Sequence, residues 1–335
     1  MNEKRKKQAG IKSLGDLKRS GAVSGKIDPS KAVKGPSNID CLVRPMQFGD
    51  CTGVLGGTGI GKTSFIMYIY KHILLNNPEG VVVFVSLEMT ASEIAEKWFK
   101  ATADHPELSD RFFIIENYDE KGVAKELSTT DIKLELQRIK ETLGTKIIAF
   151  TVDHLHEINN NGSVDYNPVC KELKNTAVEL DSHGFILAQT TKGKGNGETP
   201  VPRDGCFGTS RYEWLMTNII SIFQPLKRVQ KDCDLPILGW QYAKIRYKNK
   251  NDKVKEHMNY LLRFDFETED LLELTGEEVA TFKMWYEKVL ELRQNEEKYK
   301  SFQFCLDRTI KGKDGKEVTI TDTFGGNKVD DNDEL

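Results

Sequence analysis

Residues 51–64 read Cys-Thr-Gly-Val-Leu-Gly-Gly-Thr-Gly-Ile-Gly-Lys-Thr-Ser, and no other stretch restricts the fold as much. Gly56, Gly61, Lys62 and Thr63 match G-x-x-x-x-G-K-[ST], a loop that wraps the phosphates of a nucleoside triphosphate. Such a loop works only between a buried strand and a helix, and both flanks suit it. Before it, residues 51–55 form a short apolar run; after it, Phe65, Ile66, Ile69 and Ile73 recur on one side of a helix expected over 62–76. Glycines let the backbone curl so that successive N–H groups point at phosphate oxygens at the mouth of the helix. The expected cradle is therefore Gly56, Gly57, Thr58, Gly59, Ile60, Gly61, Lys62, Thr63 and Ser64. Lys62 brings a positive charge to the β- and γ-phosphates, and Thr63 offers a hydroxyl to Mg²⁺.

Composition narrows the rest. Of the 335 residues, 38% are hydrophobic, enough for a core, and 30% are charged, which keeps the surface solvated. A formal net charge of −3 exerts no global pull on nucleic acid, so any such affinity must be local. No apolar run is long enough to cross a bilayer, and the N-terminus has no signal-peptide core. The six cysteines are scattered without a C-x-x-C pair, which argues against a zinc ribbon or a disulfide framework. A soluble, cytoplasmic chain is expected, in a bacterium or a phage-infected cell. Residues 1–40 hold ten Lys or Arg against four acids, so 1–38 is expected to be a flexible basic arm. Within it, Ile11, Leu14 and Leu17 form one short apolar face.

The pattern from 39 to 270 alternates strand and helix. Strands are expected at 81–85, 111–116, 146–152, 185–188 and 217–223, and a hairpin at 238–247 and 259–266. Helices are expected over 90–103, with a Thr90–Glu93 capping box, and over 130–143. A third begins with Asn167 as cap and Pro168 at its first turn and stops at Gly184. This alternation predicts an α/β fold with a mostly parallel sheet flanked by helices and a C-terminal antiparallel hairpin. A capping box at Thr275 and Glu278 starts a further helix to about 299, part of a helical extension over 271–310; an acidic, disordered tail over 311–335 is expected after it.

In such a sheet, ligands gather beyond the carboxyl ends of the strands. There the chain delivers the phosphate loop, Glu88, Asp153 and Gln189. Asp153 suits Mg²⁺ binding, Glu88 can take a proton from an attacking water, and Gln189 can sense a γ-phosphate by hydrogen bonding. His154 and His156 flank Asp153, but alternate strand residues face opposite sides, and no distant ligand cluster supports a metal site there.

These residues resemble the RecA-like motor domain of DnaB-type replicative helicases over about 39–266. Ser86-Leu87-Glu88-Met89 is similar to that family's S-L-E-M motif, which carries a catalytic glutamate, and Leu187-Ala188-Gln189 extends the likeness. Ala243-Lys244-Ile245-Arg246 resembles its K-x-R element, which implies that Lys244 and Arg246 reach a neighbouring subunit's γ-phosphate. The resemblance implies a P-loop ATPase that forms a homo-oligomeric, hexameric ring. Its cofactors would be ATP and Mg²⁺, and its work translocation on single-stranded DNA during replication. The partners it implies are primase, a single-strand-binding protein or a loader, and no membrane. Loops 159–167 and 190–212 would line the ring, with Lys192, Lys194, Arg203 and Arg211 contacting DNA. Two departures stand out. Asp204-Gly205-Cys206-Phe207-Gly208-Thr209-Ser210-Arg211 occupies the place of the family's D-L-R-E-S-G-like element. Only some forty residues precede the core, so a minimal motor without the helical N-terminal domain is expected. A RecA-type filament ATPase and an ATP-dependent loader without unwinding activity remain open alternatives.

Overall fold

The computed structural model describes residues 32–33, 46–118, 123–163, 165–191, 197–209, 211–245, 258–293, 304–311 and 317–324. The chain divides into two units, Met1–Ala32 and Val33–Leu335, and the sheet and its helices belong to the second. All but residues 32–33 of the expected basic arm lie outside the described residues, as do the acidic residues past 324.

The chain builds β1 (Cys51–Leu55), α1 (Lys62–Asn76), β2 (Val81–Ser86), α2 (Ala91–Ala101), β3 (Phe112–Glu116), α3 (Thr129–Leu143), β4 (Ile147–Asp153), α4 (Asn167–Leu180) and β5 (His183–Ala188). It continues through β6 (Asn218–Phe223), β7 (Ile237–Ile245), β8 (Asn259–Phe264), β9 (Leu271–Leu272), α5 (Gly276–Leu292), β10 (Phe304–Lys311) and β11 (Glu317–Phe324). Among the described residues these strands make one 11-stranded sheet in the order β11-β10-β8-β7-β6-β1-β5-β4-β2-β3, with β9 paired to β8. Pairs from β6 through β1, β5, β4 and β2 to β3 are parallel. β6–β7 and β7–β8 are antiparallel, which is the expected hairpin added to a parallel sheet.

Both faces of the parallel part are covered, and the strands show why. Along β2, Val82 and Phe84 join the core beneath α1 and α2, whereas Val81, Val83 and Val85 join that beneath α3 and α4. An all-apolar strand is what a two-sided cover demands. Helix α1 is buried nearly all round, through Phe65, Ile66, Met67, Tyr68, Ile69, Tyr70, Ile73 and Leu74. The capping boxes at Thr90–Glu93 and Thr275–Glu278 both form. A third core gathers Val279, Phe282, Tyr286 and Val289 of α5 with Phe223, Leu261 and Phe304.

Several boundaries differ from expectation. Gly184 does not stop α4; Asp181 does, in a left-handed conformation, and Gly184 lies inside β5. Its missing side chain serves packing, since a Cβ there would stand 2.9 Å from Cys51 Sγ and 3.0 Å from Phe150 Cζ. Asn167 is not the cap of α4, a place taken by Tyr166 without a side-chain bond. Instead Asn167 Oδ1 accepts from Thr209 Oγ1 at 2.7 Å and from the Arg211 N–H at 3.0 Å, tying the loop after β5 to α4. Helix α5 ends at Leu292, short of 299. Beyond it, β10 and β11 pair as an antiparallel hairpin in the region read as helical extension and acidic tail. The sequence carries the strand signal there, since Phe304, Leu306 and Ile310, and then Val318, Ile320 and Phe324, alternate with mostly polar residues.

Tyr212 locks the end of that loop onto β1. It is fully buried and its hydroxyl donates to the Ile186 carbonyl at 2.5 Å, while a Cβ added at Gly53 would meet its ring and hydroxyl at 2.5–2.6 Å. Gly53→Ala is therefore expected to destabilise the chain by about 1–3 kcal/mol through overpacking. Urea denaturation measures it, and an unchanged midpoint would show that Tyr212 can withdraw from β1.

Candidate active site

Register brings the expected residues together. Leu55 pairs with Ala188, Val152 with Ile186 and Ser86 with Asp153, so β1, β5, β4 and β2 end side by side at one rim. A cavity of about 430 Å³ opens there, lined by Thr58, Gly59, Ile60, Gly61, Lys62, Thr63 and Ser64 together with Glu88, Asp153 and Gln189. Helix α1 points its N-terminus into this cavity. Gly61 precedes it with φ of 101°, a left-handed turn that suits glycine, and no side chain caps it. Its first-turn N–H groups thus lack intrahelical partners and face a site fit for an anion.

Lys62 Nζ donates to the carbonyls of Gly56 and Gly57, each at 3.0 Å. Burial lowers its pKa, and the Asp153 and Glu88 carboxylates oppose that shift. Thr63 Oγ1 donates to Asp153 Oδ2 at 2.8 Å, which joins a hydroxyl and a carboxylate across the cavity floor. These are hard oxygen donors of the kind Mg²⁺ takes. Burial raises the Asp153 carboxyl from its usual 3.8 to about 6, against the lowering effects of the Thr63 hydrogen bond and Lys62. The Glu88 side chain is about half-exposed (54%) at the cavity mouth.

His154 and His156 both have polar neighbours at their ring nitrogens, and among the described residues no group of three His, Cys, Asp or Glu is placed to hold a metal ion. The His154 ring is buried, with Nδ1 accepting the His156 N–H at 3.3 Å and Nε2 lying 2.9 Å from the Gln189 amide and 3.6 Å from Glu88 Oε2. Burial, followed by the fields of His156 and Lys62, lowers its pKa to about 4.

The cavity also has walls that strand-end reasoning does not name. Gln224 directly follows β6, and Lys227 and Gln230 lie just beyond. Asking what β6 delivers, as for its neighbours, would have found Gln224. Leu235, Pro236, Ile237, Phe264 and Phe266 supply an apolar side suited to a flat ring such as a nucleobase. These come from β7, β8 and their flanks, which no local motif announces.

The remaining expected residues lie elsewhere. Because β7 runs against β6, Lys244 pairs with Ile219 near the start of β6, at the opposite end of the strands from the cavity. Its ammonium donates to the carbonyls of Glu213 and, at 2.8 Å, Met216. Arg246, Lys192 and Lys194 lie outside the described residues. Arg203 pairs with Glu213 at 2.9 Å, and Arg211 is exposed beside Asn167.

No protein-family model matches the sequence, and no curated protein matches it by sequence. Solved structures do. A DnaB-like replicative helicase, described with its interactions with primase, superposes with TM-score 0.62 at 16% identity, covering 79% of this chain and 68% of that one. A second solved structure, an ATPase domain, superposes with TM-score 0.56 at 17% identity, covering 78% of this chain and 97% of that one. The fold is that of RecA-like helicase ATPase domains.

The position of Asp153 makes stability pH-dependent. Its folded pKa is raised, so the folded chain binds the proton more tightly than the unfolded one. That stabilisation is present below about pH 4 and is lost as pH rises through about 6. Without nucleotide or Mg²⁺, Asp153→Asn is expected to gain on the order of 1–3 kcal/mol at pH 8 and little at pH 4. Chemical denaturation at the two pH values checks this, and equal effects at both would remove the buried charge as the cause.

Proposed function

We propose that this chain is an ATP-dependent, ring-forming DNA helicase that translocates on single-stranded DNA during replication. One observation carries the reading: Lys62, the Thr63–Asp153 pair, Glu88 and Gln189 come from four separate segments and line the same cavity. The helicase ATPase fold adds to it. In this reading the loop 56–64 binds the triphosphate, and the apolar side of the cavity takes the base. Thr63 and Asp153 would hold Mg²⁺, whose charge offsets that of the β- and γ-phosphates. Glu88 orients a water and takes its proton as the water oxygen bonds to the γ-phosphorus, while the bond to the β–γ bridging oxygen breaks and ADP leaves. Gln189 reports the γ-phosphate.

The assembly is proposed as a hexamer. Lys244 and Arg246 would complete a neighbour's site, and the place of Lys244 at the other end of the strands is compatible with action on a different subunit. Lys192, Lys194, Arg203 and Arg211 would contact phosphates of the DNA strand without reading sequence. The core over 39–270 would carry the activity, with 1–38, 271–310 and 311–335 as appendages. The setting would be the cytoplasm of a bacterium or phage-infected cell, beside a primase, a single-strand-binding protein or a loader.

Strand displacement on a forked duplex tests the proposal. ATP-dependent release of the displaced strand is expected; ATP hydrolysis without release would indicate a loader, and continuous filaments on single-stranded DNA by electron microscopy would indicate a recombinase. Glu88→Gln is expected to bind ATP with near-normal affinity while kcat falls about 10²–10⁴-fold. Turnover close to the unmodified chain's would remove Glu88 from its role.

A further inference from the structure

Two histidines beside Asp153 have no part in the chemistry above, yet each ring nitrogen of both has a polar neighbour. The His156 N–H points at His154 Nδ1, 3.3 Å away. His154 Nε2 lies 2.9 Å from the Gln189 amide nitrogen Nε2 and 3.6 Å from Glu88 Oε2. His156 repeats the arrangement. Its Nδ1 accepts the Gln189 N–H at 3.5 Å, so its Nε2–H donates to the Phe207 carbonyl at 2.9 Å. The Phe207 N–H returns to the Gln189 carbonyl at 3.1 Å. The ring of His156 also packs between Tyr166 and Phe207, with centroids 5.1 and 5.5 Å away. Tyr166 closes the link by donating its N–H to the Gly208 carbonyl at 3.2 Å.

Contacts of 2.9–3.5 Å therefore link His154, Gln189 and His156 to the loop at 207–208, while Glu88 stands 3.6 Å from His154, outside hydrogen-bond range. We infer that His154 and His156 are positioning residues: His154 sets Gln189 against Glu88, and His156 carries any shift of Gln189 into the loop that holds Phe207. The inference rests on reading the cavity as a nucleotide site. It adds the route by which occupancy of that site reaches a loop proposed to touch DNA. Gln189 meets His154 through its side-chain amide and His156 through its backbone N–H, so a turn of the amide toward a phosphate releases the first contact and any accompanying backbone shift moves the second. Rings that merely filled space would not need a polar partner at each nitrogen.

Hydrogen exchange on the full chain tests this, with and without Mg²⁺ and the non-hydrolysable analogue AMP-PNP. In the unmodified protein the analogue is expected to change exchange across 203–209. His156→Ala should bind the analogue within about threefold of the unmodified affinity and lose most of that change. His156→Gln, which keeps an N–H donor toward Phe207, should restore it. His154→Ala should lower kcat about 10- to 100-fold with KM for ATP moved less than about threefold, and His154→Gln should recover part of the loss. A full loop response in His156→Ala overturns the inference, as do an unmodified protein that binds the analogue without a loop response, an unchanged kcat in His154→Ala, and Gln variants as impaired as Ala. A protein that shows the response but displaces no strand upholds the coupling and removes the unwinding. One that binds no nucleotide overturns both.

Discussion

Four neighbouring parallel strands, β1, β5, β4 and β2, end level with one another, and every contact at the cavity depends on that level rim. A strand advances about 3.3 Å per residue and turns alternate side chains to opposite faces. Slipping β4 by one residue would carry Asp153 away from Thr63 and reverse which of its neighbours face the helices. The 2.8 Å bond between them is thus a consequence of register, and register is held by apolar side chains buried on both faces.

The cavity is built against electrostatic comfort. Asp153 is almost wholly buried and Lys62 nearly so, yet Lys62 directs its hydrogen bonds to carbonyls of its own loop and Asp153 is bonded to a hydroxyl. Burial therefore outweighs their mutual attraction in both pKa shifts. Such an arrangement is what a core would avoid and a site for a highly charged ligand can use.

The second half of the sheet does different work. After β6 the chain reverses, so β7 and β8 bring apolar groups to one side of the cavity while sending Lys244 to the far end of the strands. Helix α5 packs its buried face on the outer ends of these strands through Phe282 and Tyr286. Its end is tied back to the loop before β6 by the ion pair of Arg293 with Glu198. The loop from 197 to 211 is held from both sides, by this pair and by Asn167.

The linear sequence by itself determined the phosphate loop, the helix after it, the strand ends carrying Glu88, Asp153 and Gln189, and two capping boxes. Each is a local pattern: a glycine spacing, an apolar run, a Thr and a Glu three apart. Gly184 and Asn167 defeat local rules because their partners, Cys51, Phe150, Thr209 and Arg211, are distant in the chain, and such rules assign a glycine or asparagine to a helix end by default. The apolar cavity wall escapes them for the same reason, whereas Gln224, just after β6, and the alternating residues of β10 and β11 lay within their reach. Only the tertiary structure decided which strands are neighbours, that the two histidines bond to Gln189 and Phe207, and that Lys244 stands apart from the cavity. Those facts follow from pairing between segments tens to hundreds of residues apart, where the free energy lies in burial and register that no window of sequence contains.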